Sequence, residues 1–350
     1  MRVSLHENPQ RSPRSRSLSH PEVFEPPWYL RNGHLQTLIT GFYKPKRSLP
    51  GTIEHRVPID PFGAILVHEN RPPLDNWVHR QSAVFLLHGL GSSHRGTYMT
   101  HMAARCLELG WRVFRFDLPG AGDSFRHTLL PPHGACADLI WRALQHLTET
   151  LQIQSWRAAG VSLGANILLK ILATKREQID SSAPSRGICI QKAVAVAPPI
   201  DLAACCENME RGFNRIYGRY FLRSLRRQTK IRAEIWDAWR ERLRVASFAS
   251  IRRFDETVTA PLAGFEGADA YYAAGSSKEE LPRIRTPTIL LIDRHDPIVP
   301  RWIFDDVAWS SDTSLVETKH GGHVGYLHKD PYRRFERWAD LWIVDELLRS

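Results

Sequence analysis

Short apolar runs alternate with amphipathic stretches along most of this chain. Residues 51–70, "GTIEHRVPIDPFGAILVHEN", predict two strands around a Pro-Phe-Gly turn. "SAVFLLHGLG" (82–91) is continuously apolar and ends in glycines, which suits a strand buried on both faces. Residues 97–110 carry a helical pattern that stops at Gly110, and 111–124 predict a strand entering a Gly/Pro loop. A helix follows at 134–150, then a strand at 156–162, a helix at 163–173 and a strand at 192–199. Further on come a strand at 286–297, a short helix at 302–308, a strand with a glycine loop at 314–323 and a helix at 331–348. Strands alternating with helices predict a mostly parallel α/β sheet covered on both faces.

That rhythm breaks between about 200 and 280. The segment is helical in pattern and rich in Arg and Trp, with 13 Lys/Arg against 8 Asp/Glu over residues 200–260. It is too long to be a simple connection, and reads as a helical lid inserted into a single domain spanning 21–350. Residues 1–20, polar and rich in Pro, Arg and Ser, read as a disordered basic tail.

Composition narrows the picture further. The chain has 350 residues and is 43% hydrophobic, enough for a substantial core. No apolar run reaches the roughly 18 residues a membrane span needs. Five cysteines without paired spacing predict neither a disulfide framework nor a zinc site, and a reducing, cytoplasmic setting follows. The net charge of +10 suits solubility or an anionic surface, while no nucleic-acid motif accompanies it.

Chemistry concentrates at "WRAAGVSLGANILLKIL" (156–172), where Gly160-x-Ser162-x-Gly164 falls between a strand and a helix. A sharp strand-to-helix turn lifts a serine above a sheet, and glycines on either side make room for it. Ser162 is therefore the candidate nucleophile. A base must take its proton, and "TKHGGHVGYLHKD" offers His320, His323 and His328. His323, flanked by Gly321, Gly322 and Gly325, is favoured. "LLIDRHDPIVP" offers Asp293 and Asp296 as the acid; Asp296 is favoured, with Asp293 a strand-end cap or substitute. Backbone N–H groups of Leu90, in "HGLG", and of Leu163 are the candidate oxyanion donors. Asp117 and Asp123 in "DLPGAGDS" read as structural. His133 and Asp138 stand at His-x-x-x-x-Asp spacing, a pattern associated with some acyltransferases, but at a helix start where both residues are common.

With His88-Gly89-Leu90-Gly91, Gly160-x-Ser162-x-Gly164, Asp296-Pro297 and Gly322-His323 in this order, the chain resembles the α/β-hydrolase superfamily. "PWYLRNGHLQTLI" (27–39) is similar to the Asn-x-His-Leu-Gln-Thr signature of its YheT-like branch, here Asn32, His34, Leu35, Gln36 and Thr37. Ala165 stands where that branch often has a second glycine after Ser-Leu-Gly, and the segment around His133 differs in spacing. The resemblance implies an α/β-hydrolase fold and ester hydrolysis by Ser162, His323 and Asp296, on short- to medium-chain acyl esters or glycerides. It implies neither cofactor nor metal. An acyltransferase or phospholipase with the same triad, and a catalytically silent lipid- or partner-binding module, are the alternatives. The basic lid is the candidate for weak membrane-surface contact.

Overall fold

A computed structural model describes residues 24–43, 47–49, 51–179, 187–330, 332 and 334–349. The expected tail at 1–20 lies outside the described residues.

Eight strands form one sheet: β1 (Ile53–Pro58), β2 (Ala64–Asn70), β3 (Ser82–Leu87), β4 (Arg112–Phe116), β5 (Ser155–Val161), β6 (Ile190–Val196), β7 (Thr288–Asp293) and β8 (Thr313–Thr318). Their order is β1-β2-β4-β3-β5-β6-β7-β8. β2 runs antiparallel to β1 and β4, and every later pair is parallel. The parallel strands are apolar because both faces are covered. Phe85, Ala158, Ala193 and Leu290 point to the face covered by α3 (Ala137–Leu151) and α4 (Leu163–Thr174). Their chain neighbours Val84, Ala159, Val194 and Leu291 point to the opposite face, under α2 (Thr97–Glu108) and α11 (Trp338–Leu348). This is the two-residue alternation of a strand.

Two expectations need correction. The helix read over 302–308 is only a 3-10 turn at Arg301–Phe304, which buries Ile303 and Phe304 before the partly exposed Asp305. The last helix begins at Trp338, not at 331. A small hairpin of β9 (Leu327–Lys329) and β10 (Phe335–Arg337) precedes it. Among the described residues there, Tyr332 and Phe335 are exposed and offer no buried face to a helix. One helix was not foreseen: α1 (Gly33–Phe42), whose Leu35 N–H donates to the Asn32 side chain, 3.0 Å away, as an N-cap.

Between β6 and β7 lie α5 (Leu202–Met209), α6 (Arg215–Ile235), α7 (Asp237–Val245), α8 (Ile251–Phe254), a π-helical turn at Asp255–Thr259, α9 (Ala260–Leu262) and α10 (Ala268–Gly275). This insertion owns a small core of Leu225, Ala233, Trp239, Phe254 and Val258. Arg232 ties it to the body. Its buried guanidinium donates to the carbonyls of Thr128, Leu130 and Gly120 and lies between the rings of Phe125 and Trp239. Burial pushes its pKa down to about 9.

Candidate active site

β5 ends and α4 begins at Ser162, which holds φ 53° and ψ −122°. A non-glycine residue adopts that conformation only when its surroundings impose it. The flanking glycines show how. A Cβ on Gly160 would fall 2.6 Å from the Gly164 carbonyl oxygen and 2.7 Å from the Ala165 Cα. One on Gly164 would fall 2.5 Å from the carbonyl oxygens of Leu87 and His88. Strand, helix and the end of β3 thus approach more closely than any side chain permits, and the turn between them projects Ser162. Ala165, in place of a second glycine, packs fully buried in the core.

The loop after β8 brings His323 over this turn. Ser162 Oγ lies 2.9 Å from His323 Nε2, and His323 Nδ1 lies 2.8 Å from Asp296 Oδ2. The other carboxylate oxygen of Asp296 accepts from the N–H groups of Ile298 (2.8 Å) and Val299 (2.9 Å). Both oxygens are thereby committed, and the buried carboxylate has one orientation. The Nδ1 contact makes that nitrogen the donor to Asp296, leaving Nε2 as the acceptor facing the Ser162 hydroxyl. Asp293, three residues earlier, has a different task. Its carboxylate accepts from His295 N–H (3.0 Å), Thr318 Oγ1 (2.7 Å) and Gly321 N–H (2.7 Å), tying the end of β7 to the histidine loop. His320 Nδ1 contacts the Arg31 carbonyl and His328 Nε2 contacts Glu336, so neither approaches Ser162.

The loop after β3 closes the other side. A Cβ on Gly89 would lie 3.0 Å from Ser162 Cβ and 3.6 Å from Ser162 Oγ. His88, fully buried, fixes this loop: Nδ1 donates to the Gly89 carbonyl at 2.8 Å and Nε2 accepts from Leu118 N–H at 3.1 Å. Burial lowers its pKa, which keeps it neutral in this arrangement. Gly89 N–H donates to Tyr98 Oη, 3.0 Å away. Among the described residues, the N–H groups of Leu90 and Leu163 donate to no other protein group. Leu163 opens α4, where unpaired amides and the positive end of the helix dipole gather.

His133 and Asp138 do not form a pair. Asp138 contacts Lys175, whereas His133 is buried with both ring nitrogens unpartnered, and burial lowers its pKa to about 4. Among the described residues, His68, His94, Asp117 and Asp123 bring enough donors together for a metal ion. Their geometry opposes it. The two imidazoles stack with centroids 3.4 Å apart and planes 17° apart, whereas an ion must lie close to the plane of each ring. Asp117 already accepts from His94 N–H (2.8 Å) and Asp123 N–H (2.7 Å) and contacts His94 Nδ1 (2.8 Å), while Arg95 grips both oxygens of Asp123. Burial raises the Asp117 pKa, but the contacts with His68 and His94 outweigh it and hold it well below the usual carboxylate range. The cluster pins the loops after β3 and β4 to each other.

Sequence reasoning gave α1 no part in the site, yet Thr37 contacts the backbone of His323. The only signal was the Asn-x-His-Leu-Gln-Thr run itself.

Comparison with known proteins agrees with this architecture. The chain is 27% identical over 302 residues to the Escherichia coli (strain K12) protein YheT, which is named only provisionally as an esterase; the match covers 85% of this chain and 84% of YheT. It is 28% identical over 277 residues to a monoacylglycerol lipase of Saccharomyces cerevisiae, covering 76% of this chain and 58% of the yeast protein. The solved structure of 2,6-dihydroxy-pseudo-oxynicotine hydrolase has the same fold, with a TM-score of 0.56 at 18% identity over 90% of this chain and 72% of that one. The pattern of the alpha/beta hydrolase family matches residues 84–338, well over half of the sequence, and the strand order is the one described above. The chain therefore belongs to the alpha/beta hydrolase family.

Proposed function

We propose that this protein is a serine hydrolase that cleaves carboxylic esters, of the short- to medium-chain acyl ester or glyceride class, through an acyl-enzyme. The observation that carries the reading is the unbroken line from Ser162 Oγ to His323 Nε2 and from Nδ1 to Asp296, at 2.9 and 2.8 Å. In this reading His323 takes the Ser162 proton as the oxygen attacks the ester carbonyl. The oxyanion is held by the N–H groups of Leu90 and Leu163. His323 returns the proton to the departing alcohol, and water activated by the same imidazole releases the acid. Asp296 holds the tautomer and offsets the imidazolium charge without taking the proton.

The helical insertion acts as a lid over this site. Phe221 of α6 packs beside Gly91: a Cβ there would lie 3.7 Å from its ring. Arg215, Arg219, Arg223, Arg226, Arg227 and Lys230 line the exposed face of α6, joined by one exposed acid, Glu234. The aromatic side chains of Phe213 and Tyr220 are exposed near its start. A cationic face with aromatic side chains suits weak docking on an anionic lipid surface. The buried thiols of Cys106, Cys136, Cys205 and Cys206, none in a disulfide, fit a reducing compartment.

The test is a panel of p-nitrophenyl and glyceryl esters of increasing chain length. Ser162→Ala should lower turnover by about 10⁴-fold or more; near wild-type hydrolysis by that variant overturns the reading. Supplying an alcohol alongside water and identifying the products separates hydrolysis from acyl transfer. For the lid, co-sedimentation with vesicles containing anionic phospholipid should weaken with added salt and with Arg219, Arg223 and Arg227 changed to Gln. Failure to bind at low salt removes the docking.

A further inference from the structure

The loop that carries His323 is conformationally costly. Gly322, Val324 and Tyr326 have φ of 57°, 58° and 49°. For Val and Tyr this left-handed conformation is strained. Such a loop keeps its shape only if something outside it holds it there.

Asp293 holds its start through Gly321 N–H, and α1 holds the part around His323. Gln36 is fully buried and treats Leu327 as a neighbouring strand would. Its side-chain amide donates to the Leu327 carbonyl (2.9 Å), and its side-chain oxygen accepts from Leu327 N–H (2.8 Å). The same amide donates to the Leu30 carbonyl, 3.0 Å away. One turn position on, the Thr37 hydroxyl donates to the Gly33 carbonyl (2.7 Å) and accepts from the backbone N–H of His323 (2.9 Å). The packing is equally close. A Cβ on Gly322 would fall 2.2 Å from the Gly33 oxygen and 2.7 Å from Thr37 Oγ1. One on Gly325 would fall 2.8 Å from Gln36 Cβ, and one on Gly33 would fall 2.1 Å from the carbonyl oxygen of His295. α1 is thus seated between the loop that bears Asp296 and the loop that bears His323.

We propose that α1 is a brace for the imidazole: the Thr37 hydroxyl, backed by Gln36, fixes the His323 backbone so that its ring spans Ser162 and Asp296. Thr37 is a positioning residue: its hydroxyl bonds to Gly33 and His323, not to Ser162 or Asp296. The brace accounts for Gln36 and Thr37 of the Asn-x-His-Leu-Gln-Thr run, which the proposed reaction leaves without a task. Its effect on turnover rests on the ester-hydrolase reading; its effect on the imidazole rests on geometry alone.

Thr37→Val keeps the side-chain shape and removes the hydroxyl, while Thr37→Ser restores it. A small displacement of a catalytic group costs up to about 100-fold. Thr37→Val should lower kcat about 10- to 100-fold with KM within about two-fold, and slow fluorophosphonate labelling of Ser162 in parallel. Thr37→Ser should recover most of both. The downfield proton resonance of the His323 Nδ1–H facing Asp296 needs no turnover; it should broaden or move in Thr37→Val and return in Thr37→Ser. Wild-type kinetics in Thr37→Val, equal damage in Thr37→Ser, or an unmoved resonance overturns the brace. A wild-type protein that turns over no ester and takes no label sinks the hydrolase reading instead, and the resonance still decides the brace.

Discussion

Glu69 in β2 and Asp255 in the π-helical turn of the insertion are both buried carboxylates, yet their pKa values move in opposite directions. Burial raises Glu69, but contacts with His55, Arg71 and Arg112 outweigh it and bring it down to about 2. Burial pushes Asp255 up to about 6, and the hydroxyls of Thr259 and Tyr272 offset only part of that. In the sheet, two arginines bond to the acid; in the insertion, the acid's donors are neutral hydroxyls. The same contrast runs through both regions. The sheet is a close-packed apolar layer whose loops carry Ser162, Asp296 and His323 in fixed positions. Within the insertion, α5 and α10 pack into the main core, whereas the far part of α6 and α7 has only a small core of its own and meets the body through Arg232, a buried cation facing backbone carbonyls. That part of the insertion is expected to open before the sheet does. That suits a cover over a site better than it suits the site itself.

The largest expected effect tests whether the chemistry belongs to the sheet loops. Asp296→Asn should lower kcat/KM by about 10³- to 10⁴-fold, because the amide no longer selects the tautomer with Nε2 free. The thermal midpoint should hardly change. Activity within ten-fold of wild type in steady-state ester kinetics would place the acid elsewhere.

Next comes the join. Arg232→Met leaves the carbonyls of Thr128, Leu130 and Gly120 without their donor, at a cost on the order of 2–4 kcal/mol. Hydrogen exchange should quicken in α6 and α7 while β3, β5 and β6 stay protected. Uniform loss of protection across the sheet would show that the insertion does not open separately.

The two acids sharpen the contrast by sign. Above pH 6, Asp255→Asn should stabilise the protein by about 1–3 kcal/mol. Asp255 binds its proton more tightly when folded, so stability falls as pH rises from about 4 through 6; the gain from Asn should fade below pH 4. Glu69 binds its proton less tightly when folded, so its contribution is present above about 4.5 and is lost as pH falls toward 2. Glu69→Gln should therefore destabilise at pH 7, by about 2 kcal/mol. Denaturant unfolding at several pH values measures both, and equal signs would break the comparison.

Much of the sheet was legible in the sequence because each buried strand is a short apolar run bounded by glycine, proline or polar residues. Gly160-x-Ser162-x-Gly164 was legible for a related reason: three segments cross there at a separation only glycine allows. The choice between Asp293 and Asp296 was harder, since both follow β7. Their difference lies in partners drawn from other segments, Thr318 and Gly321 for one and His323 for the other. α1 was missed because its task is a contact between distant parts of the chain, and Gln36 reads as an ordinary polar residue until Leu327 is beside it. His133 and Asp138 show the converse, since a spacing resembling a motif places Asp138 against Lys175 instead.

The pairing of Gln36 with Leu327 joins residues 291 positions apart. At a translation rate of about 5–20 residues per second, roughly 15–60 s separate their synthesis. Throughout that interval α1 waits on the nascent chain without the segment it grips, and the contact between Ser162 and His323 cannot exist. Between the synthesis of Ser162 and that of His323 another 161 positions are added, and over that stretch the serine stands on the nascent chain without the histidine it later faces.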